Sequence, residues 1–571
     1  MFNISRRISY VIFATVLATL AVVICFFIEQ YTKSLDLNSD ISFSHESGFY
    51  DNPIEVELSV GDIYYITYTL DGSAPTAEGQ KYENPILITD ASYNDNVWSI
   101  MEETSLRYFE PEYYVPNYKI DKCAVLRAAA FDYSGKQVSS DVREYFIGFE
   151  NKAGYEGMYN LCVSTDPDNL FSDEYGIYTA GEYWRGKIDS CKVWDMFDRG
   201  GDNWDGPGRY ANWEWSGKDA ERPATIELFN PQGDLLVRED CGVRISGKGS
   251  RNEPQKSLKF IARERYSGES KFPYDLFGEG ENPGSFLIHS FGDDFYVKII
   301  DYVVYAALRN GQNGYKYTQT IPCNLFLEGE YWGPMFLEKP VSSEIIAENF
   351  NLDEDNIILI KTNEVKLGEE FEKLKEAELG RWEDFQEFIR EEDMSLSENY
   401  EYVCSIMDVE DFAEYSAIQI YTSNSEWHLR NNFACWRTMK EEKGNLYSDG
   451  KWRFCLFDVN GAFASEETIW EYMDEDWDTW YMVKSLCKND EFKKLYLEKI
   501  SEVQELFAKE NVEPIIDEWS EVMEEPIRCH FKRFRINGDA DERITNERNM
   551  IIDFCEKRPE EIKKVNEWFF E

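Results

Sequence analysis

The sequence predicts an α+β chain: an N-terminal transmembrane helix, then an immunoglobulin-like β-sandwich, then a large mixed domain that is β-rich first and helical last. Three observations carry this. Residues Tyr10 to Ile28 form an uncharged run behind Arg6 and Arg7. Residues Ile54 to Val60 alternate apolar and polar with the period of a half-buried strand. Phe492, Leu495, Tyr496, Ile500, Val503 and Phe507 recur at three- and four-residue steps, the spacing of a buried helix face.

The first of these sets a length argument. Nineteen residues from Tyr10 to Ile28, rising about 1.5 Å each, cover roughly 28 Å, close to the thickness of a bilayer's hydrocarbon core. The two arginines would stay cytoplasmic by the positive-inside rule, so the rest of the chain would lie outside a single-pass cell-membrane anchor. No small-x-small cleavage site follows the run, which favours an anchor over a cleaved signal peptide. The expected division is a cytoplasmic tail over 1–9, the anchor over 10–28, a linker over 29–41, a β-sandwich over 42–149 and the large domain over 150–571.

Composition narrows the chemistry. At 571 residues, with 43% hydrophobic content, the chain has apolar material for several cores. Its formal charge of −50 repels phosphate backbones and argues against nucleic-acid partners. Four His and twelve Cys with no C-x-x-C pair leave little for a zinc site or a His-based triad, and no disulfide framework can be read from the spacings. Aromatic content of 16% suits β-rich outer modules and sugar-facing surfaces, though rigid cores use the same residues.

The sandwich reading rests on turn signals about every ten residues. Ile63 to Leu70 is an aromatic and β-branched run ended by Asp71-Gly72, a hairpin signal because both central residues of that turn take φ > 0. Cys123 to Tyr133 is another strand, closing at Asp132-Tyr-Ser-Gly135. Tyr68-Thr-Leu-Asp-Gly-Ser-Ala-Pro-Thr76, Lys81-Tyr-Glu-Asn-Pro-Ile86 and Leu126-Arg-Ala-Ala-Ala-Phe131 resemble the chitobiase/β-hexosaminidase C-terminal-type domain. That resemblance implies a non-catalytic companion module, either a spacer or a binder of cell-wall polysaccharide. The stretch between Ser92 and Tyr118, rich in Tyr and acidic residues, departs from its compact pattern.

Beyond Glu150, Cys162 to Thr165, Thr225 to Phe229 and Gly242 to Ser246 read as strands. Asn549 to Phe570 reads as a helix interrupted at Pro559. Four strings then occur in one order: Gly242-Val-Arg-Ile-Ser-Gly-Lys-Gly-Ser-Arg251 with Pro254 to Lys259; Asn324 to Gly333 with Met335 to Lys339; Tyr415 to Tyr421 with Asn424 to Trp427 and Asn431-Asn432; and Lys451 to Asn460. Together they resemble the CotH family of atypical protein kinases. The resemblance implies an atypical protein-kinase-like α+β domain, ATP with Mg²⁺ or Mn²⁺, and transfer of phosphate to Ser or Thr of an exported or coat-type protein, the chain itself included.

Phosphoryl transfer needs groups around the phosphates, oxygens for the metal and a carboxylate near the attacking hydroxyl. The short turn with Gly247 and Gly249 would let backbone approach phosphate, with Arg251, Lys256 and Lys259 beside it. Lys256 and Lys259 lie three apart on an expected strand and so point to opposite faces; which one meets the nucleotide stays open. Asp458, ending an apolar strand, stands where a kinase D-F-G Asp would hold the metal. Asn460 occupies the position of a usual second Asp and still offers an oxygen. Glu426 stands where the family has Asp, five residues before Asn431, the Asp-to-Asn spacing of a kinase catalytic loop. That assigns hydroxyl positioning to Glu426 and metal binding to Asn431. Glu338 is the candidate to pair with the nucleotide-facing lysine. His289 and Ser290 stand where the family often has Leu-Arg-Asn, and the acidic-aromatic stretch Glu466 to Trp480 follows the metal candidate. The alternative is an inactive kinase fold serving as a surface binder. ATP is scarce outside cells, and a longer Glu for Asp shifts the catalytic geometry. A glycosidase is disfavoured, because nothing pairs two carboxylates at the required separation.

Overall fold

The computed structural model describes residues 16–17, 19–24, 36–105, 114–155, 157–183, 211–311, 319–362, 364–366, 372–427, 432–465 and 478–570. Among these residues no helix is long and apolar enough to cross a membrane, which corrects the expected transmembrane helix. The described part of the apolar run is helical at 16–17 and 19–24.

The chain divides into two compact units. The first contains the described residues up to Ala91, together with Cys123–Gly148. Its strands are β1 (Ser42–Phe43), β2 (Gly48–Tyr50), β3 (Ile54–Val56), β4 (Leu58–Ser59), β5 (Tyr64–Thr69), β6 (Ile86–Ile88), β7 (Ala124–Asp132) and β8 (Gln137–Ile147). They form a four-stranded sheet, β2-β8-β7-β5, and two short ladders, β1-β4 and β3-β6, in place of the two full sheets of an immunoglobulin sandwich. Val56, Ile66, Ile86, Ile88, Leu126, Ala128 and Tyr145 share one buried cluster. The Asp71-Gly72 signal makes no tight hairpin; the chain comes back beside β5 only at Lys81, opposite Thr67. Only Gly72 has positive φ there, and β5 takes β7 as its partner, more than fifty residues on. The second signal works as expected: Gly135 has φ 85°, Asp132 Oδ1 accepts hydrogen bonds from the Ser134 and Lys136 amides, and β7 turns directly into β8.

The second unit holds Ser92–Lys122 and Phe149–Glu571. The departing stretch of the first module is therefore part of the larger body. Glu330 holds it there, accepting hydrogen bonds from the amides of Val97 (2.6 Å) and Ser99 (2.7 Å).

Strands β9 (Tyr159–Ser164), β10 (Arg222–Phe229), β11 (Leu235–Ile245), β12 (Leu258–Ile261), β13 (Ser285–His289), β14 (Ile321–Leu327) and β15 (Glu330–Glu338) close into a barrel, in the order β10-β11-β12-β13-β15-β14-β9. This barrel refines the mixed domain expected from sequence. It closes through a parallel β9–β14 pairing whose partners lie over 160 residues apart. Inward-facing Leu161, Ile226, Val243, Leu258, Phe260, Phe286, Ile288, Leu325 and Met335 fill it, so it is a packed core and not a channel. The outer row across β12, β13 and β15 is Lys259, Leu287 and Glu338, in direct register.

A second sheet, β17-β16-β18-β19, comprises β16 (Ile357–Lys361), β17 (Glu364–Val365), β18 (Ala434–Thr438) and β19 (Arg453–Cys455). Around it pack the helices Ile300–Arg309, Glu372–Glu391, Val409–Tyr421, Asp490–Leu506, Lys509–Arg533 and Ala540–Phe570. The helix read from Phe492 onward is Asp490–Leu506, with Phe492, Tyr496, Ile500 and Val503 buried and Asn489 capping the Glu491 and Phe492 amides. The last helix runs unbroken through Pro559. Buried Phe554, Cys555, Arg558, Ile562 and Val565 anchor it on both sides of the proline. Arg558 also donates to the Tyr421 carbonyl at 2.8 Å, so packing outweighs the roughly 3 kcal/mol an internal proline costs.

Candidate functional site

The helix Val409–Tyr421 ends in a loop that lies along the segment after β19. The Ser425 amide donates to the Gly461 carbonyl at 2.9 Å, the Phe463 amide to Thr422 at 2.7 Å and the Ala464 amide to Ser423 at 3.3 Å. A Cβ on Gly461 would lie 2.8 Å from Asn424 Oδ1 and 2.9 Å from Glu426 Cγ, so glycine permits the approach. Two strings picked out separately in the sequence, Asn424–Glu426 and Asp458–Gly461, are thereby brought together. Glu426 Oε2 accepts a hydrogen bond from Asn432 at 2.9 Å. Asn431 and residues 466–477 lie outside the described residues.

The Gly-rich turn reaches the same place from the barrel. Gly247 has φ 99°, and a Cβ there would strike Ser250 Oγ at 2.3 Å. Gly249 opens the short helical turn Gly249–Asn252. A Cβ on Gly292 would find Asn460 Nδ2 at 3.5 Å on one side and Ser250 Cβ at 3.6 Å on the other. Asn460 Oδ1 is buried with no hydrogen-bond partner among the described residues.

The cations sort into two kinds. Arg251 donates to the carbonyls of Gly247 (2.6 Å), Trp213 (2.5 Å), Trp215 (3.2 Å) and Ile245 (3.1 Å). Lys256 is fully buried, with Nζ on the carbonyls of Arg251 (2.5 Å) and Glu253 (2.8 Å) and 4.2 Å from the Trp213 ring centre. Both are spent on holding the turn. Lys259 and Lys361 differ: among the described residues neither ammonium has a hydrogen bond or ion pair, and Lys361 only lies over the Phe457 ring at 4.2 Å. Burial pushes the Lys361 pKa down to about 8, with Asp458 opposing that shift and Lys259 adding to it. Burial also lowers Lys259, opposed chiefly by Glu344. Lys361 was not legible as a candidate, since it ends an ordinary apolar strand, Ile-Ile-Leu-Ile-Lys.

Three more residues were missed. Glu338, expected to meet a lysine, instead lies 3.2 Å from His289 Nδ1. Burial works against a charged His289, but Glu338 and then Asp458 outweigh it and raise its pKa. Asp301, fully buried on helix Ile300–Arg309, accepts the Val459 amide at 2.9 Å. Burial first, then Asp458 and Glu338, drive its pKa well above the ordinary carboxylate range. From the same helix, Tyr305 is also buried, and burial first, then Asp301, Glu338 and Asp458, pushes its hydroxyl well above the ordinary range.

The backbone here is strained. Among the described residues ten non-glycines have positive φ, and Phe291, Lys298, Thr362, Ser423, Asn432, Asp458 and Phe463 all belong to the segments just described or their flanks. Each such residue costs on the order of 1–3 kcal/mol, tolerated only where the surroundings over-determine it. Among the described residues no group of three or more His, Cys, Asp or Glu side chains is placed to hold a metal. A metal would rely on Asp458 and Asn460 oxygens plus those of a bound phosphate, and the lone buried Asn460 Oδ1 fits that role. A cavity of about 430 Å³ lined by Pro254, Tyr296, Phe534, Arg535 and Arg543 shares none of these residues.

Comparison with protein families decides the kinship. The model for CotH kinase protein matches residues 243–562, more than half of the chain. The chain belongs to the CotH kinase family. Its CotH region contains every residue of the site, from Gly247 to Asn460. A second family model, the chitobiase/beta-hexosaminidase C-terminal domain, matches residues 45–94. No curated protein matches the chain. CotH membership brings ATP and a divalent metal into the reading in general terms.

Proposed function

We propose that this CotH protein is an ATP- and Mg²⁺-dependent protein kinase that phosphorylates Ser or Thr hydroxyls. The observation that carries the reading is the pair Lys259 and Lys361. Two partly buried ammonium groups have no hydrogen bond or ion pair among the described residues; Lys361 lies in the field of Asp458, and Lys259 is near enough to Lys361 to depress it further. Leaving a charge so poorly paired is costly, and an anionic ligand such as a triphosphate removes the cost.

In this reading Lys259 and Lys361 neutralise the phosphates and orient them. The Gly247–Ser250 turn, with Arg251 and Lys256 locked beneath it, presents backbone to the same anion. Asp458 and Asn460 would hold Mg²⁺, which when bound offsets the charge that builds on the transferring group. Glu426, steadied by Asn432, accepts or orients the substrate hydroxyl's proton. The His289–Glu338 pair backs the phosphate side of the site.

The test is transfer of labelled γ-phosphate by the purified full chain to itself and to a Ser-rich peptide. Label that disappears in Asp458→Ala and Glu426→Gln supports the assignment. Absence of label together with absence of any nucleotide-dependent thermal shift would sink it and leave a kinase fold kept for binding.

A further inference from the structure

We infer that Asp301 and Tyr305 are positioning residues that hold Asp458 in its metal-binding conformation. The inference rests on the kinase reading above and deepens it. Asp458 has φ 54°, a left-handed state that Asp tolerates better than most residues and that neighbouring contacts can select. The helix Ile300–Arg309 supplies two side chains at i and i+4, on one face and one turn apart. Asp301 Oδ1 accepts the Val459 amide at 2.9 Å, and Tyr305, one turn further on, is buried beside Asp458. The peptide unit that follows the Asp458 side chain is thus fixed from a rigid helix. Both residues are essentially sequestered from solvent, at 1% and 2% exposure. Asp301 Oδ2 meanwhile has no hydrogen-bond partner among the described residues.

A buried carboxyl is a poor choice for plain core packing, since an apolar side chain of its size would fill the space without desolvating a polar group. What Asp301 supplies that Leu cannot is an acceptor aimed at Val459 N–H. Asn supplies the same acceptor. Rigid second contacts of this kind commonly tune a metal site by ten- to a hundredfold.

The experiment titrates full-chain protein with ATP in EDTA and again with Mg²⁺, for wild type, Asp301→Asn, Asp301→Leu, Tyr305→Phe and Asp458→Ala, with circular dichroism as the check on folding. Asp301→Leu is expected to lose about tenfold or more of the Mg²⁺-dependent gain in affinity, while its affinity in EDTA stays within about twofold. A merely structural residue would move both. Tyr305→Phe should show the same split to a smaller degree, and Asp301→Asn should match wild type. A folded Asp301→Leu with the full Mg²⁺ gain overturns the inference. So does an Asp301→Asn protein that has lost the gain, a result readable even if the Leu variant does not fold. A wild type that shows no Mg²⁺-dependent binding takes down the kinase reading itself and this inference with it. Loss in Asp458→Ala with no effect of either helix variant removes only the inference.

Discussion

Two lysines, one fully and one partly buried, make opposite use of the same side chain. Lys256, behind the Gly-rich turn, has its ammonium on two carbonyls and a Trp ring. Lys361, at the end of β16, has a Phe ring and the field of a carboxylate but no hydrogen bond among the described residues. Burial lowers both, to about 7 and about 8. A buried cation whose donors are all satisfied is architecture; one whose donors are left over is a place for something else to bind. The same division separates Arg251, consumed by four carbonyls, from Lys259.

The widest test of that contrast is Asp458, which stands on the binding side of it. Asp458→Ala should cut phosphate transfer by at least about 10²-fold, the scale of losing one preorganised charge-stabilising group. Residual transfer within a few-fold of wild type would place the metal elsewhere. Next come the lysines themselves. Lys361→Met should weaken ATP binding by roughly ten- to a hundredfold, the equivalent of one charge-assisted hydrogen bond, with the unfolding midpoint unchanged. Lys256→Met should do the reverse, costing about 1–3 kcal/mol of stability in denaturant titration through the abandoned carbonyls. Swapped outcomes would reverse the assignment.

A gentler probe uses pH. An anion needs the charged ammonium, and the Lys361 pKa is near 8 in the ligand-free protein. ATP affinity measured calorimetrically should therefore fall as pH rises through about 8, and Lys361→Met should remove most of that dependence. A wild-type profile flat to pH 9.5 would exclude Lys361 from the phosphates. The smallest effect is expected away from the site. Burial would raise Glu221, but Arg263 and Arg244 reverse that and bring it down to about 2. Its folded value lies below its ordinary 4.5, so its stabilising effect is complete above about 4.5 and fades as pH falls toward 2. Glu221→Gln should flatten that part of the acid-unfolding curve and leave nucleotide affinity alone.

What was legible in the sequence followed local rules. The strings at 424–426 and 458–460 stood out because short-range motif spacing carries them, and the fold brings them together. The helix from Phe492 was readable from a 3.6-residue period. Lys361, Asp301 and His289 were hidden because their roles depend on distant pairings. Lys361 reaches Asp458 only once β16 pairs with β18, more than seventy residues on, and β18 with β19. His289 meets Glu338 only once β13 pairs with β15. Barrel closure was equally invisible, because parallel β9–β14 pairing leaves no mark in either strand's own alternation. The Pro559 break failed for the same reason: the rule was local and the packing of Arg558 was not.

The route of the chain through residues 92–122 has a bearing on how such a protein can be assembled by gene fusion. The sequence resembling a detachable companion module is interrupted by a stretch belonging to the larger CotH-containing unit, gripped by Glu330. Excising the segment from 42 to 149 as a cassette would remove part of the larger unit along with the companion.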